Sequence, residues 1–514
     1  MGLRLRLQLP ATHESEERMI GKPVLIVGAG PVGLTMASEL KRFGVAVRII
    51  DKSPQRTDKS KALIVWSRTL ELLDRGGGSQ PFVDAGMKVE AVNIMAGEKQ
   101  IGRLALSGVR TPYPYGLMLP QSETERLLEE RLSTFGVGVE RCVELLSIEN
   151  DAQEVRAVLR LASGEEQTVL TDWLVGCDGA HSAVRHGVGA PFTGQTMDSD
   201  WLLADVHLKG YPYPDSEASV YWHQDGVFII FPISPGRYRL IADLPPSGAD
   251  HPPTPTLEDI QKVIDRRGPS GIRAFDPIWL AGFRINGRKV SRYRWGRSFL
   301  VGDAAHVHSP AGGQGMNTGM QDAFNLAWKL AMVIQKRGFE SLLDSYSSER
   351  SAIGDQVLKA ADRLTEVGTT KNPVAQAVRN LVGQVLLGLG PIQSAVARTM
   401  SEVSIGYPDS PLNGSSFGHE GPQPGERIEP VSGRAPVGSG SAPRFALFAR
   451  RSAATSELIS HFAALLDPEL RAPYREDGIW LVRPDGYVAC SADDAGVIAR
   501  YLEAISGSGV PEAV

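Results

Sequence analysis

The chain has 514 residues, enough for two or three domains and a large core. Its 42% hydrophobic and 22% charged residues are the composition of an ordinary globular protein. A formal net charge of -5, with the basic residues dispersed, gives no footprint for nucleic acid. No uninterrupted apolar run reaches the roughly 20 residues that span a bilayer, and the most lipid-like stretch, 381–397, is broken by Gly383, Gly388, Gly390 and Pro391, so stable membrane insertion is not expected. Cys142, Cys177 and Cys490 lie far apart without metal-ligand spacing. Each is expected to be a small buried hydrophobe in a reduced compartment, which makes cytoplasm the default location. Residues 1–21 carry Arg4, Arg6, Glu14, Glu16 and Glu17 but no apolar core of signal-peptide length, and are expected to form a disordered extension.

The first clear element is the apolar run Val24-Leu25-Ile26-Val27, a strand, followed by Gly28-Ala29-Gly30-Pro31-Val32-Gly33 and a helix from Leu34. Strand, glycine turn and helix in that order present a helix N-terminus to a pyrophosphate, with glycines that let the backbone approach it. A second strand, 46–50, ends in Asp51, an acid at the usual distance for grasping ribose hydroxyls. Further on, Asp178-Gly179 closes another strand. Between about 190 and 294 lies an insertion of short strands. There Val220-Tyr221-Trp222 and Val227 to Phe231 flank a hairpin turn at Asp225-Gly226, and a second turn at Pro235-Gly236 leads into Tyr238 to Ile241. Such an antiparallel sheet would roof a pocket, with Trp222, Phe228 and Phe231 as candidates for its wall; plain sheet core is the commoner role for each.

Phe299-Leu300-Val301 reads as a buried strand ended by Gly302-Asp303. The glycine- and proline-rich loop 304–317 then leads into a helix over 319–335, with apolar residues at Phe324, Ala327, Trp328, Ala331 and Ile334. A carboxylate at that strand end can hold a polyol, and the loop can offer N–H groups to a flavin edge. The three separated stretches together describe one FAD held along its length. After Gly406, repeated Pro, Gly and Ser mark a linker. It is followed by a strand at 444–448, a helix at 453–466, a hairpin at 479–489 and a helix at about 495–505.

On these residues the chain resembles the para-hydroxybenzoate hydroxylase-like FAD-dependent aromatic monooxygenases. The resemblance is carried by Gly28 to Gly33 with Asp51, Ser67 to Leu73, Leu119-Pro120-Gln121, Cys177 to Arg185, Gly302 to Asn317 and Gln321 to Leu330, and it covers about 22–335. The remainder resembles the longer branch that includes phenol, rifampicin and aromatic polyketide hydroxylases. The resemblance implies a mixed α/β fold: a Rossmann-like FAD-binding domain over 22–400, a substrate sheet inserted at about 76–118 and 190–294, and a thioredoxin-like domain over 406–514. A redox tail needs a Cys-x-x-Cys, and none exists, so the tail is expected to serve packing or homodimerisation.

By the same resemblance, Gly28, Gly30, Pro31, Val32, Gly33, Asp51 and Lys52 match the ADP-binding part. Lys61 stands where the family usually has an arginine near the pyrophosphate, keeping the charge without the bidentate fork. Gln121 matches an FAD-contacting glutamine, and Asp178-Gly179 an element serving both FAD and NAD(P)H. Asp303 matches the ribityl-binding carboxylate; Gly315, Met316 and Asn317 the backbone along the flavin pyrimidine; Pro310 the proline beside the reactive face. The implied reaction uses NADPH or NADH to reduce non-covalent FAD, forms a flavin C4a-hydroperoxide with O2, and hydroxylates a phenolic or polycyclic aromatic in a dry pocket. A phenol reacts best as phenolate, and His223, Tyr221 or Tyr115 are the candidates for its base. A benzoate would want an arginine clamp, whereas Arg237 and Arg239 stand at the outer edges of the hairpin, leaving Arg284 and Arg292 as others within reach. His306 and His308 have no third ligand, so no metal is expected. A halogenase is disfavoured by the lack of a Trp-x-Trp-x-Ile-Pro stretch. Baeyer–Villiger oxygenation and a non-catalytic flavin-binding accessory role remain as alternatives.

Overall fold

The computed structural model describes residues 21–506, apart from 311, 371, 419, 420 and 432; the expected extension over 1–21 lies outside them except for Gly21. Its centre is a six-stranded sheet in the order Arg294–Trp295, Ser298–Leu300, Leu174–Gly176, Val24–Val27, Val47–Asp51, Glu140–Arg141. All neighbours are parallel except the first pair. Val24–Val27, Leu174–Gly176 and Ser298–Leu300 are buried throughout, which is why they read as unbroken apolar or small runs and not as alternation. The helices Pro31–Arg42 and Gly315–Ile334 cross closely. A Cβ on Gly319 would lie 2.8 Å from Val32 Cγ2 and 3.1 Å from the Gly302 Cα, so only glycine permits that approach.

Strands from both expected insertions join in one eight-stranded sheet. Its order is His306–Val307, Arg273–Lys289, Thr193–Lys209, Arg237–Leu244, Gly226–Ser234, Glu217–His223, Ala91–Ala96, Lys99–Ala105. The expected hairpin is present, with His223 opposite Gly226 and Tyr221 opposite Phe228. Successive side chains alternate between faces. One face carries Tyr221, Phe228, Ile230 and Leu240 against Ile260 and Ile264 of the helix Leu257–Arg267. The other carries Trp201, Leu203, Val227 and Ile241 with Trp222, Ile229, Phe231, Trp279 and Phe283. This second face meets the FAD-motif half of the molecule: Val227 touches Gly368 of the helix Asp344–Thr369, and Arg239 reaches the Lys61 carbonyl.

The last part of the chain forms an antiparallel sheet of Ala446–Phe448, Ile479–Val482 and Val488–Ala492, with helices Ala453–His461 and Ala495–Ser506. The first of these helices ends five residues before the expected Leu466, because Leu465 and Leu466 turn inward as buried core. Cys177 and Cys490 are buried as expected, but Cys142 is exposed, at φ 56 just after an edge strand. Among the described residues no single helix is long and apolar enough to cross a membrane; Pro373–Leu387 and Gly390–Met400 pass together but are bent by 99°.

A buried ion cluster joins this last part to the rest. Glu349 accepts from Lys329 Nζ at 2.7 Å and from Arg483 Nη1 at 2.6 Å, and Arg483 also pairs with Asp485. Asp485 in turn accepts from Trp328 Nε1 at 3.1 Å. Arg427 pairs with Glu71, and Arg68 donates to the Asp485 carbonyl. The stretch Ser67–Asp74, singled out in the sequence, is thus a docking element for the C-terminal sheet.

Candidate cofactor and active site

The glycine turn after Val27 is dictated by contact. Gly28 has φ +98, and a Cβ there would sit 2.4 Å from the Cys177 carbonyl oxygen; one on Gly33 would sit 1.9 Å from the Gly28 oxygen. Gly30 differs, since its Cβ would meet nothing within 4 Å. That is a cradle with room for a ligand. Pro31 opens the helix with Gly30 as its N-cap and no side-chain cap, which leaves the first N–H groups, those of Val32 and Gly33, without helical acceptors. Asp51 at the next strand end accepts from Ala29 N–H at 2.7 Å and Ser53 N–H at 2.8 Å, which fixes its carboxylate beside the turn; Lys52 is exposed.

Gly302, at φ +63, turns the chain so that Asp303 is exposed to solvent while protein encloses it on its other sides. That enclosure raises the Asp303 carboxyl above its usual range, with His306 and Lys61 pulling it down. Among the described residues its carboxylate has no hydrogen-bond donor, so it is an acceptor open to a polyol. The helix Gly315–Ile334 begins without a side-chain cap, and the N–H groups of Gly315, Met316 and Asn317 lack helical acceptors. The Asn317 side chain is committed elsewhere: its oxygen accepts from Trp66 N–H at 2.8 Å and its amide donates to Ile64 and Gly313 carbonyls. Only its backbone is left for a ligand. Open cradle, unpartnered carboxylate and uncapped helix fit a dinucleotide flavin.

Two other sequence-predicted residues have occupied side chains. The Asp178 carboxylate accepts from Ser182 Oγ at 2.6 Å and Val184 N–H at 3.1 Å, capping a short helix, while Gly179 has φ +76 and an open Cβ position. Gln121 accepts from Ala62 N–H at 3.2 Å and donates to Glu125, tying down the loop that carries exposed Lys61. Arg185, inside the quoted motif but given no role, donates to the Ala180 and Ala304 carbonyls and so ties the Asp178 turn to the Asp303 turn.

The roof separates the pocket candidates. Trp222 and Phe231 lie on the face that meets the FAD-motif half of the molecule, Phe228 and Tyr221 on the opposite face. Phe228 is fully buried under the helix Leu257–Arg267, and burial holds the Tyr221 phenol well above the ordinary tyrosine range. His223 sits in the hairpin turn, its Nδ1 3.2 Å from Asp225, and desolvation lowers its pKa. Tyr115 is buried beside Tyr113 with Lys88 over its ring, and burial raises its pKa as well. Pro310 is exposed, next to Ser309, whose hydroxyl meets Thr365 at 2.9 Å. The structure therefore does not gather the three candidate bases around one point. Trp201, Trp279 and Phe283, which carry the same face as Trp222, were missed, although strand parity across the hairpin register would have sorted them.

Arg239 is a correction. It was expected at an outer edge but is 1% exposed, with Nε and Nη2 on Asp205 at 2.7 and 3.0 Å and Nη1 on the Lys61 carbonyl. Arg284 is likewise taken by Asp200 and the Ala249 carbonyl, and Arg292 lies over Trp295. One arginine on this face has no acid partner among the described residues: Arg379 of the helix Pro373–Leu387 lies 4.8 Å over the Trp222 ring and donates to the Val367 and Gly368 carbonyls.

Comparison with known proteins agrees with this geometry. The chain is 36% identical over 517 residues to the 6-methylpretetramide 4-monooxygenase of Streptomyces rimosus, covering 93% of this chain and 92% of that one. It is 32% identical to the pentachlorophenol 4-monooxygenase of Sphingobium chlorophenolicum, over 79% of this chain and 75% of the other. The solved structure of OxyS anhydrotetracycline hydroxylase from Streptomyces rimosus superposes with a TM-score of 0.77 at 30% identity, covering 95% of this chain and 99% of that chain. A family model described as FAD binding domain matches residues 22–361, and the chain belongs to that family.

Proposed function

We propose that this chain is an FAD-dependent monooxygenase that uses NAD(P)H and O2 to hydroxylate a polycyclic phenol of the polyketide type. The observation that carries the reading is the exposed Asp303 carboxylate, without a protein donor among the described residues and next to Gly302, whose Cβ would lie 2.9 Å from Val32 Cγ2 in the same glycine turn as the open Gly30 cradle. The relatives support it, since their names are those of monooxygenases acting on pretetramide and chlorophenol, and the similar solved structure is of an anhydrotetracycline hydroxylase. Bound FAD supplies the redox chemistry, taking electrons from NAD(P)H and delivering one oxygen atom of O2 to the ring.

This chain's residues do the rest. Gly30, Val32 and Gly33 would hold the pyrophosphate, Asp51 the ribose, Asp303 the ribityl chain, and the N–H groups of Gly315 to Asn317 the pyrimidine edge. Lys61 places a cation near Asp303. Trp222, Phe231, Trp201, Trp279 and Phe283 offer a wide aromatic wall that excludes water. Because Arg239 is already neutralised by Asp205 and Arg379 is held by backbone carbonyls, no arginine is set out as a bidentate fork for a small carboxylate, whose burial would be costly. A large neutral phenol does not face that cost. We further assign 22–400 to the flavoprotein domain and 406–514 to a thioredoxin-like packing domain without a dithiol, and place the protein in the cytoplasm, where three unpaired cysteines persist.

A screen of phenols under NADPH and then NADH tests the proposal, scoring hydroxylated product against H2O2. Coupled hydroxylation of a polycyclic phenol is expected. Efficient turnover of para-hydroxybenzoate with polycyclic phenols inert overturns it, and a lactone or ester product points to Baeyer–Villiger chemistry. Acid precipitation should release free FAD; flavin retained in the pellet contradicts non-covalent binding.

A further inference from the structure

Asp322 is fully buried in the helix Gly315–Ile334, C-terminal to its uncapped N-terminal end. Its Oδ2 accepts the Gly302 N–H at 3.1 Å and meets His306 Nε2 at 2.8 Å. Its Oδ1 accepts from Arg350 Nε at 2.6 Å. One carboxylate thus grips both ends of the turn 302–306, the turn that exposes Asp303. The His306 ring is kept in place by stacking against Tyr293, with centroids 5.7 Å apart, and against His308, at 6.3 Å. Arg350 comes from the helix Asp344–Thr369 and also donates to the Thr318 carbonyl and the Tyr407 hydroxyl, so the grip is anchored on two further segments.

A buried charge of this kind is a poor device for stability alone, since well-packed apolar groups serve as well or better. What it provides is direction. A carboxylate has acceptors only, and three donors converge on this one from the backbone, an imidazole and a guanidinium. An asparagine in its place would turn an NH2 group against at least one of them. We propose that Asp322 is the positioning residue of the cofactor site: by holding Gly302 and His306 it sets the direction in which the Asp303 carboxylate meets the ribityl chain. The inference rests on the reading of Asp303 given above.

A double-mutant cycle on FAD binding tests it, with the dissociation constant read from flavin fluorescence and the bound flavin checked by the fine structure of its absorption band. Wild type, Asp303→Asn, Asp322→Asn and the double variant are compared. Each single change is expected to weaken FAD about tenfold, as loss of a charge-assisted hydrogen bond does. If Asp322 works through Asp303, the double variant is also about tenfold weaker and shows the same spectrum as either single variant. A double variant about a hundredfold weaker, the product of two independent losses, overturns the inference while leaving the role of Asp303 intact. An unchanged constant in Asp303→Asn overturns both. If Asp322→Asn does not fold, His306→Phe replaces it in the cycle under the same criteria, because it keeps the Asp322–Arg350 pair and removes one tether; His306→Asn, which retains a donor, is then expected to restore binding.

Discussion

Within one short turn, glycines answer to different forces. Gly33 has no room for a side chain, because its Cβ would lie 1.9 Å from the Gly28 oxygen; Gly30 has room, and the space is reserved for a ligand. Gly33→Ala is expected to destabilise the fold by about 3 kcal/mol, the upper part of the overpacking range. Gly30→Ala should leave the melting temperature almost unchanged and weaken FAD binding. Denaturant titration with and without FAD separates the two. A second residue-scale effect concerns Glu402, buried with Thr318 and Gln321 as its side-chain donors among the described residues. Burial raises its carboxyl from the ordinary 4.5 to about 8, against the pull of Arg350. The folded protein therefore keeps a proton that the unfolded chain releases. The stability tied to it is complete below the unfolded value of 4.5 and is lost as pH rises to about 8. Glu402→Gln should accordingly gain on the wild type as pH rises from about 4.5 to about 8 in thermal melts, with no further gain above that.

Among the elements, legibility followed burial. The strands Val24–Val27 and Ser298–Leu300, buried on both faces, are written as apolar runs and could be read directly, as could the glycine turns that end them. The hairpin 217–234 was visible from Asp225-Gly226, but the faces of its residues were not, because Tyr221, Trp222, Phe228 and Phe231 are all apolar aromatics and both faces of this sheet are covered. Alternation carries no signal when neither face meets water. Arg239 escaped for a related reason: a buried arginine is invisible until Asp205, two strands' pairing away in sequence, is set beside it. Asp322 was read as one letter of a helix motif, since its partners come from two other segments, the turn 302–306 and the helix Asp344–Thr369. In the C-terminal sheet, Cys490 packs against Gly414 and Tyr501, and burial pushes its thiol up to about 12. It is therefore no nucleophile. Cys490→Ser is expected to cost about 1–2 kcal/mol for the buried hydroxyl and to leave product formed per NAD(P)H oxidised unchanged; a fall in that ratio with the fold intact would give the tail a chemical role.

The whole molecule closes around charges with no exposure. Lys329, Glu349 and Arg483 are each 0% exposed as side chains, and they belong to two helices and a hairpin far apart in sequence. Arg483→Leu removes one pole, leaving Glu349 with Lys329 alone and Asp485 without its ion partner, which is expected to destabilise the protein by about 3–5 kcal/mol, measured by denaturant unfolding. The same arrangement sets an order of events during synthesis. Glu349 leaves the ribosome more than a hundred residues before Arg483, and Trp328 before Asp485, its acceptor. Until the hairpin emerges, Lys329 and Glu349 have each other but not Arg483 and Asp485, and the Trp328 N–H has no acceptor, so this flank of the helix Gly315–Ile334 cannot settle dry against its neighbours. A nascent chain halted at about residue 475 should be cut readily by protease even with FAD added, while release of the complete chain should confer protection within one step. The flavin, on this account, is acquired by a finished polypeptide and not by a growing one.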